Sequence, residues 1–341
     1  MTAANLDSFD LKAAADNGWI REDVMQQIFD ISAIPLPFTD RIASDTIKNE
    51  FAEWTEDVLG AIDESNALVD GADAGTDDSV VGVRVGNHAQ ISGKVLRVST
   101  RARESDTIGG EALSYQLMQR GKEIRRDVEA IMLGQQASIA DDGAAQAGLS
   151  AGLGAWLTTN AFRGALGADG GYGATGPGIV DAPTTGTVRA MTEDLVRDAA
   201  QSVYEQGGEV TVLMMMPALK RGFSEFLYTT AAKVALLDSD VGQASEMATA
   251  KGAIDVFVSD FAVLELVSNR LQQLVTTDNS NAYFLDFEFL RQGFLHGYRV
   301  EPLAKTGTAD NRQIIVDWTL KVLNEKAQAV LADINPALAV T

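Results

Sequence analysis

The chain has 341 residues, no cysteine, two histidines and a formal net charge of −21. Without cysteine there are no disulfides, no thiolate chemistry and no cysteine-held zinc. With only His88 and His296 a histidine-based metal site is not expected, and so acidic a surface repels phosphate backbones and anionic lipid.

A hydrophobic fraction of 46% is enough to bury a core, as one large domain or two to three smaller ones. Met1 to Asp10 carries Asp7 and Asp10 and no apolar run, unlike a signal peptide. The most apolar stretch, Val212 to Leu219, is broken by Pro217 and is far shorter than the roughly 18 residues that span a bilayer. The chain is expected to be made and used in a cytoplasm or in something assembled there.

Residues 1–40 read as an arm. Ile20, Val24 and Ile28 make a narrow helical stripe, and Pro35-Leu36-Pro37-Phe38 predicts an extended segment after it. With little core of its own, the arm should lie on the chain's own body or on a neighbour.

Residues 45–107 read as a long two-armed β excursion. Glu50 to Glu56 opens it, an acidic Gly/Ala-rich tip runs from Glu64 to Ser79, and Val81, Val83, Val85 and then Leu96, Val98, Thr100 alternate as in strands. A ribbon with so few apolar residues is marginal alone. It is completed by packing on another chain, or else it is a mobile surface hairpin.

Over residues 109–137, Leu113, Leu117, Ile124, Val128 and Ile131 form one continuous helical face. Such a helix would be roughly 40 Å long, a strut. Residues 138–190 are Gly/Ala-rich without a period, a connection too long to be idle inside a compact domain: functional or disordered.

Residues 191–296 read as an α/β unit. Thr192 is the expected N-cap of a helix with Leu195, Ala199 and Val203 on its stripe, ended by Gly207-Gly208. Val210 to Met216 is a buried strand, in which the three methionines are core packing. Leu219, Phe223, Phe226 and Leu227 form a second helical face, and Ile254, Val256 and Val258 alternate as a strand. Over 297–335, Val316, Trp318, Leu320 and Val322 share one strand face, and Lys305 to Asn311 is the turn before it.

Three chemical motifs fail on context. Gly171-Tyr172-Gly173-Ala174-Thr175-Gly176 fits a dinucleotide fingerprint but lacks the strand before and the helix after that would aim N–H groups at a pyrophosphate. Gly148-Leu149-Ser150-Ala151-Gly152 fits a nucleophile elbow, yet no strand enters it and no base is positioned. Asp238-Ser239-Asp240-Val241-Gly242 lacks the third ligand and closing glutamate of a calcium loop. No catalytic, cofactor-binding or metal-binding residue is assigned.

The order of parts is arm, β excursion, strut helix, α/β unit and closing strands. That order resembles the α+β Hong Kong 97-type fold of tailed-phage major capsid proteins. Local stretches are similar too: Glu53-Trp54-Thr55-Glu56-Asp57, Gly86-Asn87-His88-Ala89-Gln90-Ile91 with Val98-Ser99, the helix from Glu111 to Glu129, Ala151 to Asn160, Val256 to Phe261, and Leu303-Ala304-Lys305-Thr306-Gly307. The resemblance implies an N-arm over 1–44, an extended β E-loop over 45–107, and a P-domain over 108–190 that holds the long spine helix at 109–137. An α/β A-domain over 191–296 and closing P-domain strands with the C-terminus over 297–341 complete it.

That resemblance implies a shell of hexamers and pentamers, with the E-loop lying over one neighbour and the N-arm clasping another. It implies scaffolding and portal proteins, possible decoration, and enclosed DNA held without sequence-specific contacts. Such a subunit lives in the host cytoplasm during assembly and then in the virion capsid. Trp54, Asn87 and Gln90 of the E-loop and Arg120, Arg125 and Arg126 of the spine are the assembly residues it implies. Family members often carry an aromatic where His88 stands. Lys94 is the only lysine between Trp54 and Thr107, and nothing assigns it the covalent cross-link of the founding capsid. The alternatives are an encapsulin-like compartment of the same fold and, more remotely, an enzyme within 191–296.

Overall fold

The computed structural model describes residues 35–57, 59–60, 62–67, 70–71, 81–105, 112–174, 176, 178–226, 255–272, 274–276, 278–305 and 307–338. The helix expected around Ile20 to Ile28, most of the acidic tip, the Asp238–Gly242 turn and Ile254 lie outside these residues.

The described chain begins with a correction. Pro35 to Phe38 does not continue as an extended segment. Pro35 and Leu36 lie in no helix, strand or turn, and a turn begins at Pro37, whose fixed φ suits a first corner. Asp40 N donates to Leu36 O at 2.9 Å and Ile42 N to Phe38 O at 3.1 Å. Leu36 and Phe38 are buried, so this segment lies on the chain's own body.

Strands β1 (Ala43–Thr46), β2 (Phe51–Glu56), β3 (Val83–His88) and β4 (Gln90–Ser99) follow, then the one-turn helix α1 (Thr100–Glu104) and the long helix α2 (Ala112–Met132). Thr100 therefore opens a helix and does not continue a strand; Ser99 Oγ caps it by accepting from Ala102 N at 3.2 Å. Helix α2 has 21 residues, about 31 Å of length, and stops before residue 137. Gly134 N closes back on Ile131 O at 3.0 Å, and Gln136 Nε2 donates to the same carbonyl at 2.7 Å. Its expected face holds: Leu113, Ile124 and Val128 are buried, and Leu117 and Ile131 pack at the margin of the core.

The Gly/Ala-rich connection carries α3 (Leu153–Trp156), β5 (Ala161–Phe162), β6 (Gly171–Tyr172) and β7 (Val180–Asp181). It is built into the body, with Leu153, Ala155, Trp156, Leu157 and Val180 all buried. Its glycines allow backbones to touch: a Cβ on Gly164 would stand 2.0 Å from Thr187 O.

Helix α4 (Glu193–Glu205), β8 (Val212–Met215), α5 (Pro217–Phe226), β9 (Val256–Val258), β10 (Val263–Ser268), β11 (Ser280–Leu285), β12 (Leu290–Pro302), β13 (Ala309–Val322) and β14 (Ala329–Ile334) complete the described chain. Thr192 caps α4, its Oγ1 accepting from Leu195 N at 3.3 Å.

Two sheets organise these elements. One has six strands in the order β5-β14-β11-β8-β10-β9, with β8 and β10 parallel and β11 antiparallel to β8 and β14. It lies between two cores. Leu213 and Met215 pack with Val196, Ala199, Val203, Leu219 and Phe223 on one side. Val212 and Met214 pack with Ile124, Val128, Met132 and Trp318 on the other. That two-sided burial is why β8 is apolar at every position.

The other sheet has the order β1-β12-β13-β4, and Val316, Trp318, Leu320 and Val322 of β13 are fully buried. Strand β4, expected as the second arm of the ribbon, pairs instead with β13 from Trp318↔Gln90 to Ala309↔Ser99. At β9 the alternation is inverted: Phe257 is buried while Val256 and Val258 are 52% and 70% exposed. Strand β14 enters the six-stranded sheet although β12 and β13, just before it, belong to the four-stranded one.

Candidate functional site

The ribbon itself is β2 paired antiparallel with β3, in register from Phe51↔His88 to Glu56↔Val83. Gly86 lets the strands meet, since a Cβ there would stand 2.7 Å from Ala52 O. Beyond the paired residues the ribbon presents apolar side chains to solvent: Leu59, Ile62 and Val81 are 96%, 93% and 88% exposed.

At its root the ribbon is locked to the body. Asn87 is fully buried. Its Nδ2 donates to Leu320 O at 2.8 Å, Ser150 Oγ at 3.1 Å and Ala151 O at 3.3 Å, and its Oδ1 accepts from Ala151 N at 3.0 Å. Gln90 Oε1 accepts from Ser150 N at 3.3 Å. Trp54 is partly buried, 5.3 Å from the Trp156 ring, with Lys321 Nζ 5.9 Å from its own ring centroid. Lys321 also donates to Asp45 Oδ2 at 2.5 Å, and that bond holds the Asp45 carboxyl below its ordinary range. His88 lies 4.6 Å from the Phe51 ring, and burial lowers its pKa.

Ser150 belongs to this knot. Its hydroxyl oxygen accepts from Asn87 Nδ2 and from Leu320 N, and lies 3.2 Å from Thr319 Oγ1, which donates to His88 O. With its hydrogen-bonding capacity spent and no access to solvent, Ser150 offers no nucleophile. Gly171 and Tyr172 form a short strand paired with β7, and among the described residues no helix opens after them as a dinucleotide site needs. Among the described residues no group of three His, Asp or Glu side chains could hold a metal.

The spine arginines are distributed differently. Arg120 pairs with Glu123 on the same helix, and exposed Arg125 donates to Asp40 Oδ1 at 2.9 Å. Arg126 is partly buried, its Nε without a hydrogen-bond partner among the described residues. The structure thus gathers Trp54, Asn87 and Gln90 at the ribbon root and places Arg125 against the turn after Pro35.

That turn has two further anchors. The Glu129 carboxylate, buried in α2, accepts from Phe38 N at 3.4 Å, Thr39 N at 3.2 Å and Asn269 Nδ2 at 2.5 Å. Burial raises its pKa against those bonds. Arg41 makes a two-pronged contact with Glu265 of β10 at 2.7 and 2.8 Å. Glu129 carries no sequence signal: it is one of many charged residues on α2, and a segment 91 positions earlier imposes its burial.

The family of SU10 major capsid proteins matches this chain over residues 4–335. The major capsid protein of Escherichia phage Phieco32 is 29% identical over 215 residues, which span 55% of this chain and 61% of that relative's length. The capsid structure of the cyanophage P-SCSP1u superposes with a TM-score of 0.56 at 10% identity, over 95% of this chain and 93% of that one. The holo-SrpI encapsulin complex from Synechococcus elongatus PCC 7942 superposes with a TM-score of 0.55 at 9% identity, over 94% and 95%. At such identities the structures speak for the fold alone, and that fold is the Hong Kong 97-type expected from the order of parts. No helix among the described residues is long and apolar enough to cross a membrane.

Proposed function

The chain belongs to the SU10 major capsid protein family, and we propose that it builds the icosahedral head of a tailed phage, assembling as hexamers and pentamers around the DNA genome. In this reading residues 1–44 are the N-arm, 45–107 the E-loop, 108–190 and 297–341 the P-domain with its spine, and 191–296 the A-domain. Scaffolding and portal proteins, and a decoration protein where one exists, are its partners. It works in the host cytoplasm during assembly and in the virion afterwards, and it has no catalytic step.

One observation carries this reading. The ribbon is anchored by a buried asparagine at its root, and Leu59, Ile62 and Val81, beyond its paired residues, are almost wholly exposed. Apolar side chains held out in water cost free energy unless a surface covers them. A neighbouring copy supplies that surface, and repeated contacts of this kind make an interface of the obligate class, above about 2,000 Å². The net charge of −21 suits a wall that must release DNA.

The encapsulin reading shares the fold. The family match and the Phieco32 relative favour the phage reading, and portal and terminase genes beside this one, in place of cargo enzymes, would agree with them. The direct test is sedimentation and negative-stain microscopy of the expressed protein with and without its source lysate. Closed particles or capsomer-sized rings are expected. Protein that stays monomeric under all those conditions overturns the proposal.

A further inference from the structure

Above its root the ribbon meets the body a second time. The two-residue period of β2 turns Ala52, Trp54 and Glu56 to the same side. Ala52 is buried, Trp54 packs on Trp156, and Glu56 is partly buried close to the 3₁₀ turn Glu325–Ala327. The first two contacts suit an apolar surface and the third does not. One carboxylate oxygen of Glu56 is buried without a hydrogen-bond partner.

The charged groups that face Glu56 from the body are Glu325 and Lys326. Glu325 is held as an acceptor by Thr158 N at 3.3 Å, by Thr159 N at 3.2 Å and by the Thr159 hydroxyl, so it cannot turn away. On the ribbon itself, Glu53 and Arg84 lie 3.8 Å apart with exposed side chains, and Asp57 follows in sequence. Glu56 therefore sits in a half-dry seam beside a fixed carboxylate, with one lysine opposing the repulsion.

We propose that this seam is a pH-set latch: with Glu56 neutral the strand Phe51–Glu56 lies on the Glu325 turn, and with Glu56 ionised it lifts from that turn while Asn87 keeps the root in place. Burial first, and the Glu325 charge with it, raise the Glu56 pKa to about 7, against the Trp54 indole N–H and Lys326. A carboxyl whose value is raised on the body stabilises the closed form fully below its ordinary value. That contribution is lost as pH rises through about 7. The latch rests on the E-loop reading only for its consequence, which is the pH at which the ribbon can change its angle toward a neighbour.

Hydrogen–deuterium exchange on the unassembled full chain tests it, with rates corrected for intrinsic chemistry. Protection of peptides covering 51–56 and 83–88 should fall about tenfold between about pH 6 and pH 8. In Glu56→Gln the protection should stay at its acidic level throughout. Lys326→Met removes the opposing positive charge and should move the midpoint to higher pH, and Glu325→Gln should move it to lower pH. Protection independent of pH in the parent, or pH dependence retained in a folded Glu56→Gln, overturns the latch. If Glu56→Gln does not fold, the other two variants decide: shifts in opposite directions support it, and equal or absent shifts overturn it. Particle formation is read separately, so the latch can fail while the assembly reading stands.

Discussion

Asn87 and Leu320, 233 positions apart in the chain, are joined by a buried hydrogen bond of 2.8 Å from the asparagine amide to the leucine carbonyl. The bond fixes the ribbon to β13, one of the two inner strands of the four-stranded sheet. Everything that the ribbon can do for a neighbour depends on that fixed base, because a contact made by a swinging arm costs the entropy of stopping it.

Asn87→Ala should destabilise the subunit by about 3 kcal/mol, since Ala151 N, Leu320 O and the Ser150 hydroxyl lose a partner in a dry site. Denaturant unfolding of the unassembled protein measures this. A loss below about 0.5 kcal/mol would mean that the network is idle and the root is held by packing alone.

Two carboxylates hold the turn after Pro35, and their removal should differ sharply. Glu129→Ala leaves the Phe38 and Thr39 N–H groups buried and unpaired, a cost of about 2 kcal/mol, and should open the chain to trypsin at Arg41. Glu265→Gln weakens an exposed ion pair and should cost less than about 1 kcal/mol with little new cleavage. Equal cleavage in the two variants would show that Glu129 is not the anchor.

Ile124→Pro should abolish soluble subunit. Ile124 is buried at the middle of α2, and proline there removes a backbone bond and adds a clash worth about 3 kcal/mol or more. Insoluble protein and an absence of particles in the micrograph are the expected outcome. Normal particles would contradict the helix as the strut of the subunit.

Deleting Asn66 to Ser79 should spare the fold and damage association. The segment Asn66 to Ser79 is acidic and carries few apolar residues, so the core should hardly notice its loss. Circular dichroism and melting should match those of the unassembled parent, while sedimentation should show monomers or loose capsomers. Unfolding would place the segment in the subunit's own core, and closed particles of normal size would make the ribbon a mere surface hairpin.

Spacing alone was enough for the local elements. The apolar period of α2 from Leu113 to Ile131, the cap at Thr192 and the inward face Val316, Trp318, Leu320, Val322 are all properties of near neighbours in the chain, and a helix or strand period records them directly. Their order along the chain also carried the fold family. The sequence did not say which strand each strand would pair with, because a two-residue period marks a strand without naming its partner. So β4 left the ribbon for β13, β14 crossed into the other sheet, and Phe257 took the inward position in place of its flanking valines. The buried roles of Asn87, Glu129 and Glu56 were hidden for the same reason. Polar residues become structural only when a distant segment removes their water, and that removal is an event of tertiary packing.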